Sequence, residues 1–452
     1  MRRFDKWCRC GLGVVITLLS CVLLGCESEY STPSNTDALV FSVDTLSFDT
    51  LFVGDKSETY ALKLYNRSNK NILIDQILLE GGEESSYTID IDGDRIPSVS
   101  DIELAAKDSL YIFVDIRCPF IPEYFCNIRD KITLRVGTHT KSAVIETYVQ
   151  NVNILDNVTI CHNTTLDSPI PYRVYGKLEI KENSTLTVAP GTKIYMAHDA
   201  QIDVYGSIVA NGELSNKITI HGDKLTKFYD NVPGQWNSVN IRRGAHAYIR
   251  HTEISNAKSA LQVDSTAMVD IESSIIRDAS VDLINSRFAN LTILNSLLYN
   301  CGKSIIDDQC SDIYIVHTTI SNRFSWDYRK TPSLMLLPYE ERYGSIEIAN
   351  SIIEGNHGDE LLCDSESMIV DHCAVSKEKT DIFENDPRYI DVVSSRKIIF
   401  ADVKGYDFHL KSDMEAKGDG KYAEICPIDI DGTTRDTLSP TIGAFECPTS
   451  EE

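Results

Sequence analysis

Between residues 39 and 153 the chain alternates apolar and polar side chains in short runs. Leu62 and Leu64 flank Lys63, Ile112 and Val114 flank Phe113, and Ile132, Leu134 and Val136 interleave with Lys131, Thr133 and Arg135. Turn-forming residues separate the runs: Asn66 and Asn69 around Arg67 and Ser68, then Gly81 with Gly82, then Asp92 with Gly93. A period of two over four to eight residues is the pattern of a half-buried strand. About seven such runs, at intervals of roughly 8–15 residues, predict an antiparallel β-sandwich.

From about residue 170 the pattern changes to a repeat. A six-residue unit (aliphatic, any, Asn/His/Ser, Ser/Thr/Cys, any, aliphatic) begins at Ile249, Ile271, Ile293, Ile315, Ile348 and Val370, in steps of 22, 22, 22, 33 and 22. Twenty-two residues make one coil of three short strands, and the frame that leucine-rich repeats require is absent. The spacing predicts a right-handed parallel β-helix of about ten coils over 170–375, its aliphatic residues stacked inward about 4.8 Å apart. The third position places His251, Ser273, Asn295, His317, Asn350 and His372 in one polar ladder at a turn. Three of these are histidines, but Asn and Ser occupy the same position, so the ladder is expected to be structural and not a metal site. The 33-residue step holds an excess near 323–343 with Trp326, Tyr328, Tyr339 and Tyr343, read as a loop packed over one face.

The beginning of the chain adds an address. Arg2, Arg3, Lys6 and Arg9 precede an apolar run at 11–25, shorter than the roughly 20 residues of a spanning helix. It closes on Leu23, Leu24, Gly25 and Cys26, which resembles the bacterial lipobox. That resemblance implies a lipid on the sulfur of Cys26 and cleavage just before it. The expected organisation is a signal peptide at 1–25, a flexible tether at 26–38, an immunoglobulin-like β-sandwich at 39–153, a β-helix at 154–385 and a cap at 386–452. In the last segment Asp386, Pro387, Arg388 and Tyr389, Asp407 to Leu410 and Ile442 to Glu446 are similar to the C-terminal segment of many Bacteroidetes β-helix proteins. Together these features resemble the right-handed parallel β-helix repeat lipoproteins of Bacteroidetes that carry an N-terminal immunoglobulin-like module. The resemblance implies anchoring to the outer membrane, on its periplasmic face or at the cell surface.

Charge and chemistry narrow the function. A net charge of −24 opposes nucleic acid and anionic lipid headgroups. It also opposes a polyanionic glycan, unless calcium or a local basic cleft intervenes. Nine of the 13 cysteines follow Cys26, several as sequence neighbours such as Cys118 and Cys126 or Cys426 and Cys447. An exported chain permits disulfides, and spacing does not assign pairs. The position after the first aliphatic reads Arg250, Glu272, Leu294, Val316, Ala349 and Asp371, an outward row with an apolar middle that suits a covering loop. Asp278, Asp282, Asp307 and Asp308 could meet at calcium, though solvated turn carboxylates are the default reading. No phosphate loop, His-Glu-x-x-His helix or nucleophile elbow is present. No catalytic residue, metal ligand or cofactor is therefore assigned. The expected function is a lipid-anchored envelope protein whose β-helix presents a binding surface to a glycan or an envelope partner. The alternative is a polysaccharide lyase or glycoside hydrolase, recognisable by charged groups meeting in a groove, a basic one among them.

Overall fold

A computed structural model describes residues 36–411 and 418–447, so Cys26, expected to carry a lipid, the expected signal peptide and nearly all of the expected tether lie outside the described residues. The chain divides into two compact units, 1–150 and 151–452.

The first unit carries two sheets. One orders Leu39–Phe41, Tyr60–Asn66, Ser109–Ile116 and Tyr87–Ile91, all antiparallel. The other is built on the long hairpin Phe125–Val136 with His139–Gln150, extended by Ile72–Leu79 and Ser98–Leu104. Thr45–Ser47 and Leu51–Phe52 run parallel to the outer hairpin strand, a departure from a purely antiparallel module. Alternate residues are buried, as the period-two runs require: Leu62, Leu64, Ile112 and Val114 on one sheet, Ile74, Ile77, Ile132 and Leu134 on the other. Tyr87, from the first sheet, donates its hydroxyl to the Ile128 carbonyl and to Thr147 Oγ1 on the second.

The second unit is a parallel β-helix. Each coil contributes a strand to three stacks. The first stack is a 10-stranded sheet that runs from Thr164–Leu166 to Tyr389–Ile390. Its inward residues stay in register from coil to coil: Ile249, Ile271, Ile293, Ile315, Ile348 and Val370 form one buried aliphatic column. The second stack follows the repeated turn and aligns Ile254, Ile276, Leu298, Ile320 and Ile353 inward. The third aligns Val239, Leu261, Ile284, Ile306 and Leu334. All three columns meet in one continuous core.

The segment expected to cap the helix has two parts. The short helix Ile382–Asn385 and the strands Tyr389–Ile390 and Val393–Ser394 add a partial last coil, with Ile382, Phe383 and Tyr389 against the core at that end. The rest turns back along the flank. A hairpin of Phe400–Asp402 and Asp407–Leu410, followed by 418–447, lays Phe400, Phe408, Leu410, Ile430, Ile442 and Phe445 over Leu297, Tyr299, Ile352 and Ala374. They face outward from the second stack, Leu297 and Tyr299 from one coil and Ile352 and Ala374 from two later ones. The segment is thus a strap across several coils, because the apolar surface it needs lies on the side of the stack.

Candidate functional site

All six ladder residues adopt the left-handed conformation, with φ of 41–51°. That region suits Asn and tolerates short polar side chains better than β-branched ones, which accounts for the residue types at this position. The side chains bond in two pairs: Asn295 Nδ2 donates to Ser273 Oγ at 3.0 Å, and Asn350 Nδ2 lies 3.2 Å from His317 Nε2. A more regular chain of bonds runs through the next residue. The amides of Thr252, Ser274 and Thr318 each donate to a hydroxyl one coil on, those of Ser274, Ser296 and Ser351, each at 3.1 Å. The histidines are separated by intervening coils, about 14 Å between His251 and His317 and about 10 Å between His317 and His372 by coil spacing. The strap grips this turn. Arg435 Nη2 donates to Asn295 Oδ1 at 2.8 Å, and Asn350 exchanges two bonds with the Lys421 backbone at 2.7 and 2.8 Å. Burial, with Arg435 nearby, pushes the His317 imidazole down to about 3, so it is neutral there.

The outward row Arg250, Glu272, Leu294, Val316, Ala349 and Asp371 is in register throughout. Val316, though outward, is only 1% exposed. The four aspartates sit apart, each with its own partners. Asp278 receives Asn300 Nδ2 and Arg277 Nη1 on the second stack. Asp282 accepts from the Ser304 amide at 3.1 Å. Asp307 faces outward on the third stack, and Asp308, in register with the core residue Leu336, is held inside by Ser286 and the Ser311 amide. Burial raises the carboxyls of Asp278 and Asp282 to about 6. Two further acidic clusters are turns: Asp90 accepts from Gly93 N, and Asp429 from the amides of Asp431 and Thr433. Among the described residues, Cys118, Cys126, Cys161, Cys301, Cys310, Cys363, Cys373 and Cys426 are free thiols.

A groove forms elsewhere, on a second outward row. Ser255, Arg277, Tyr299, Ser321 and Glu354 are register partners on successive coils of the second stack. The segment 223–235 walls one part of it, pinned by Gln235 Nε2 to the carbonyls of Tyr229 and Val232 and by Asn256 Nδ2 to those of Asp230 and Val232. The strap hairpin and residues 323–325 wall the next. A cavity of about 280 Å³ is lined by His221, Asp230, Asn231, Glu253 and Arg277. A larger one, about 520 Å³, is lined by Tyr299, Asn300, Ser321, Arg323, Lys404 and Tyr406. They adjoin, because Arg277 and Tyr299 are partners in the sheet.

The ionisable groups here are bound to one another. Arg277 gives Nε to Glu253 at 2.7 Å and Nη1 to the Asp230 carbonyl, to Asn231 Oδ1 at 2.9 Å and to Asp278. Burial works against its charge, but Glu253, Tyr299 and Asp278 more than offset this and hold the guanidinium protonated. It cannot serve as a neutral base. Burial also pushes His221 down, against the pull of Glu253. Asp278 is buried and faces its partners, not the open groove. The arrangement supplies hydrogen-bonding atoms and aromatic walls in fixed positions. Of the residues around this groove, Asp278 is one that the sequence pattern marks as a candidate, while His221, Glu253, Tyr299, Lys404 and Tyr406 belong to none of its candidate sets.

No family model matches the chain, and no curated protein matches it. Among solved structures, the ASH/PapD-like domain of human CEP192 (PapD-like domain 7) is 10% identical, over 29% of this chain and 95% of that one, with a TM-score of 0.18. The Vibrio cholerae VesB protease is 13% identical over 25% of this chain and 32% of its own, with a TM-score of 0.17. A family 123 glycoside hydrolase from Clostridium perfringens, described for glycolipid glycan hydrolysis, is 9% identical over 27% and 26%, with a TM-score of 0.17. The chain thus spans about a third of the protease and a quarter of the hydrolase. At these scores the likenesses assign no function.

Proposed function

We propose that this chain is a lipid-anchored envelope protein whose β-helix binds a glycan along the groove of the second stack. The observation that carries this reading is the pair of adjoining cavities on one outward row, where sugar-sized spaces meet aromatic and hydrogen-bonding walls. Ligand sites of a few hundred Å³ with apolar walls and a few placed polar groups are the usual form of such pockets. The basic member, Arg277, gives its Nε and Nη1 to Glu253, Asp278, Asn231 and the Asp230 carbonyl, which favours a rigid wall over a reacting group. The second reading, a glycoside hydrolase, draws on Asp278, whose raised carboxyl would suit a general acid. Its burial away from the groove weighs against that role.

The test is to incubate the full-length chain with a panel of polysaccharides, with and without calcium, and to measure retention and released ends. Retention without new ends, weakened by Tyr406→Ala, supports binding. New reducing ends or unsaturated products, lost in Asp278→Asn, would replace binding with catalysis. The anchor has its own test: a labelled fatty acid should enter the wild-type chain in a bacterial envelope and not the Cys26→Ser variant.

A further inference from the structure

The larger cavity has a chemical bias that a neutral sugar site does not need. Two cationic side chains, Arg323 and Lys404, line it in a chain whose net charge is −24. Glu354 is the acidic group beside Arg323, and it is already engaged. It takes Arg323 Nε and Nη2, the latter at 2.5 Å, and also the Ser321 hydroxyl. Those bonds fix the guanidinium in the wall and leave its Nη1 group and the second N–H of Nη2 as donors. Lys404 is exposed on the strap hairpin and lines the cavity.

The cavity also has an aromatic lining. Tyr299 packs against Tyr406 at 5.2 Å and against Phe408 at 5.0 Å between ring centroids, and Tyr406 keeps part of its surface accessible. Asn300, Ser321 and Ser325 add neutral hydrogen-bonding atoms. A guanidinium edge pairs with the two oxygens of a carboxylate, and an aromatic face receives the apolar face of a ring. A small inorganic anion would use the cations and leave the rings without a partner. A neutral sugar would use the rings and leave Lys404 and the remaining N–H groups of Arg323 without an anionic ligand.

From this we infer that the cavity of Tyr299, Arg323, Lys404 and Tyr406 is a subsite for a carboxylate-bearing sugar, the acidic residue of an otherwise largely neutral glycan. The inference rests on the reading of the groove as a glycan site and names the residue that one part of it takes. The carboxylate lies between Arg323 Nη1 and the Lys404 ammonium, and the ring lies against Tyr406.

The test is calorimetric titration of the full-length chain with D-glucuronate, D-glucose and acetate, beside the polysaccharide panel. Glucuronate should bind at least about tenfold tighter than either glucose or acetate, the difference that one charge-assisted bond produces. Lys404→Met should remove about tenfold of that affinity while leaving the thermal transition in place, since the side chain is exposed. Raising the salt concentration should weaken glucuronate and not glucose. Equal affinity for glucuronate and glucose, acetate binding as tightly as glucuronate, or no loss in Lys404→Met would each overturn the subsite. No glucuronate binding alongside retention of a neutral polysaccharide sensitive to Tyr406→Ala would overturn the subsite alone. Failure of every glycan would remove the groove reading with it.

Discussion

Asn350 shows how much one residue of the repeat can be asked to do. Its backbone holds a φ of 48° and its amide group exchanges two bonds with Lys421. Asn350→Ala should cost about 2–3 kcal/mol, from two lost bonds and a methyl group in the left-handed region. Asn350→Gly removes the same bonds without the conformational cost and should be about 1 kcal/mol milder. Denaturant unfolding of both variants measures the difference. His317 makes the fold sensitive to acid. Unfolded, its imidazole takes a proton near pH 6.5, and folded it resists until about 3. Below pH 6.5 the unfolded chain therefore binds a proton that the folded chain does not. Stability from this group falls toward pH 3 by up to about 1.4 kcal/mol per pH unit, and above 6.5 the effect is gone. Asp278 and Asp282 act in the other direction, since carboxyls raised to about 6 take their protons first in the folded state. His317→Asn, which keeps a residue tolerant of this backbone, should flatten the loss of stability between pH 6 and 4 relative to the wild type.

At the scale of elements, the 22-residue step is what made the fold legible. It placed the inward column correctly, and Ile293, fully buried between Ile271 and Ile315, is a representative member. Ile293→Ala should cost about 2–5 kcal/mol, read from denaturant midpoints, because a rigid stack closes poorly over a cavity. The same step also held the groove. Ser255, Arg277, Tyr299 and Ser321 are themselves 22 residues apart, one place beyond each hexapeptide, and Glu354 follows after the long step. Reading the row after the first aliphatic found instead the surface around Val316, where an outward side chain is buried. What periodicity could not disclose was the strap, which repeats nothing, and with it Lys404, Tyr406 and the larger cavity. The pairing of Glu253 with Arg277 was likewise hidden, since it crosses from one coil to the next on a diagonal.

At the scale of the whole molecule, the described cysteines do not cross-link the fold. Cys161 is exposed, while Cys301 and Cys373 are buried in the β-helix core. Burial raises the Cys373 thiol to about 12 and that of Cys301 upward as well. A native alkylating pulse should therefore label Cys161 first and reach Cys301 and Cys373 only on unfolding, as mass spectrometry would show. A reductant should leave the melting temperature within about 1 °C. A shift of several degrees would reveal a cross-link and require a different arrangement around Cys118, Cys126, Cys426 or Cys447.

The position of the strap also sets an order in time. Coils add one upon another, so a chain that emerges from its N-terminal side can stack each turn on the one already formed. The strap comes last, after every coil that it crosses. Until then Leu297, Ile352 and Ala374 stand uncovered on the flank, as do the docking atoms of Asn295 and Asn350. Synthesis that stops before residue 418 would thus yield a finished spiral with an adhesive side. A cell that makes this protein must deliver its final thirty or so residues before neighbouring molecules find that side first.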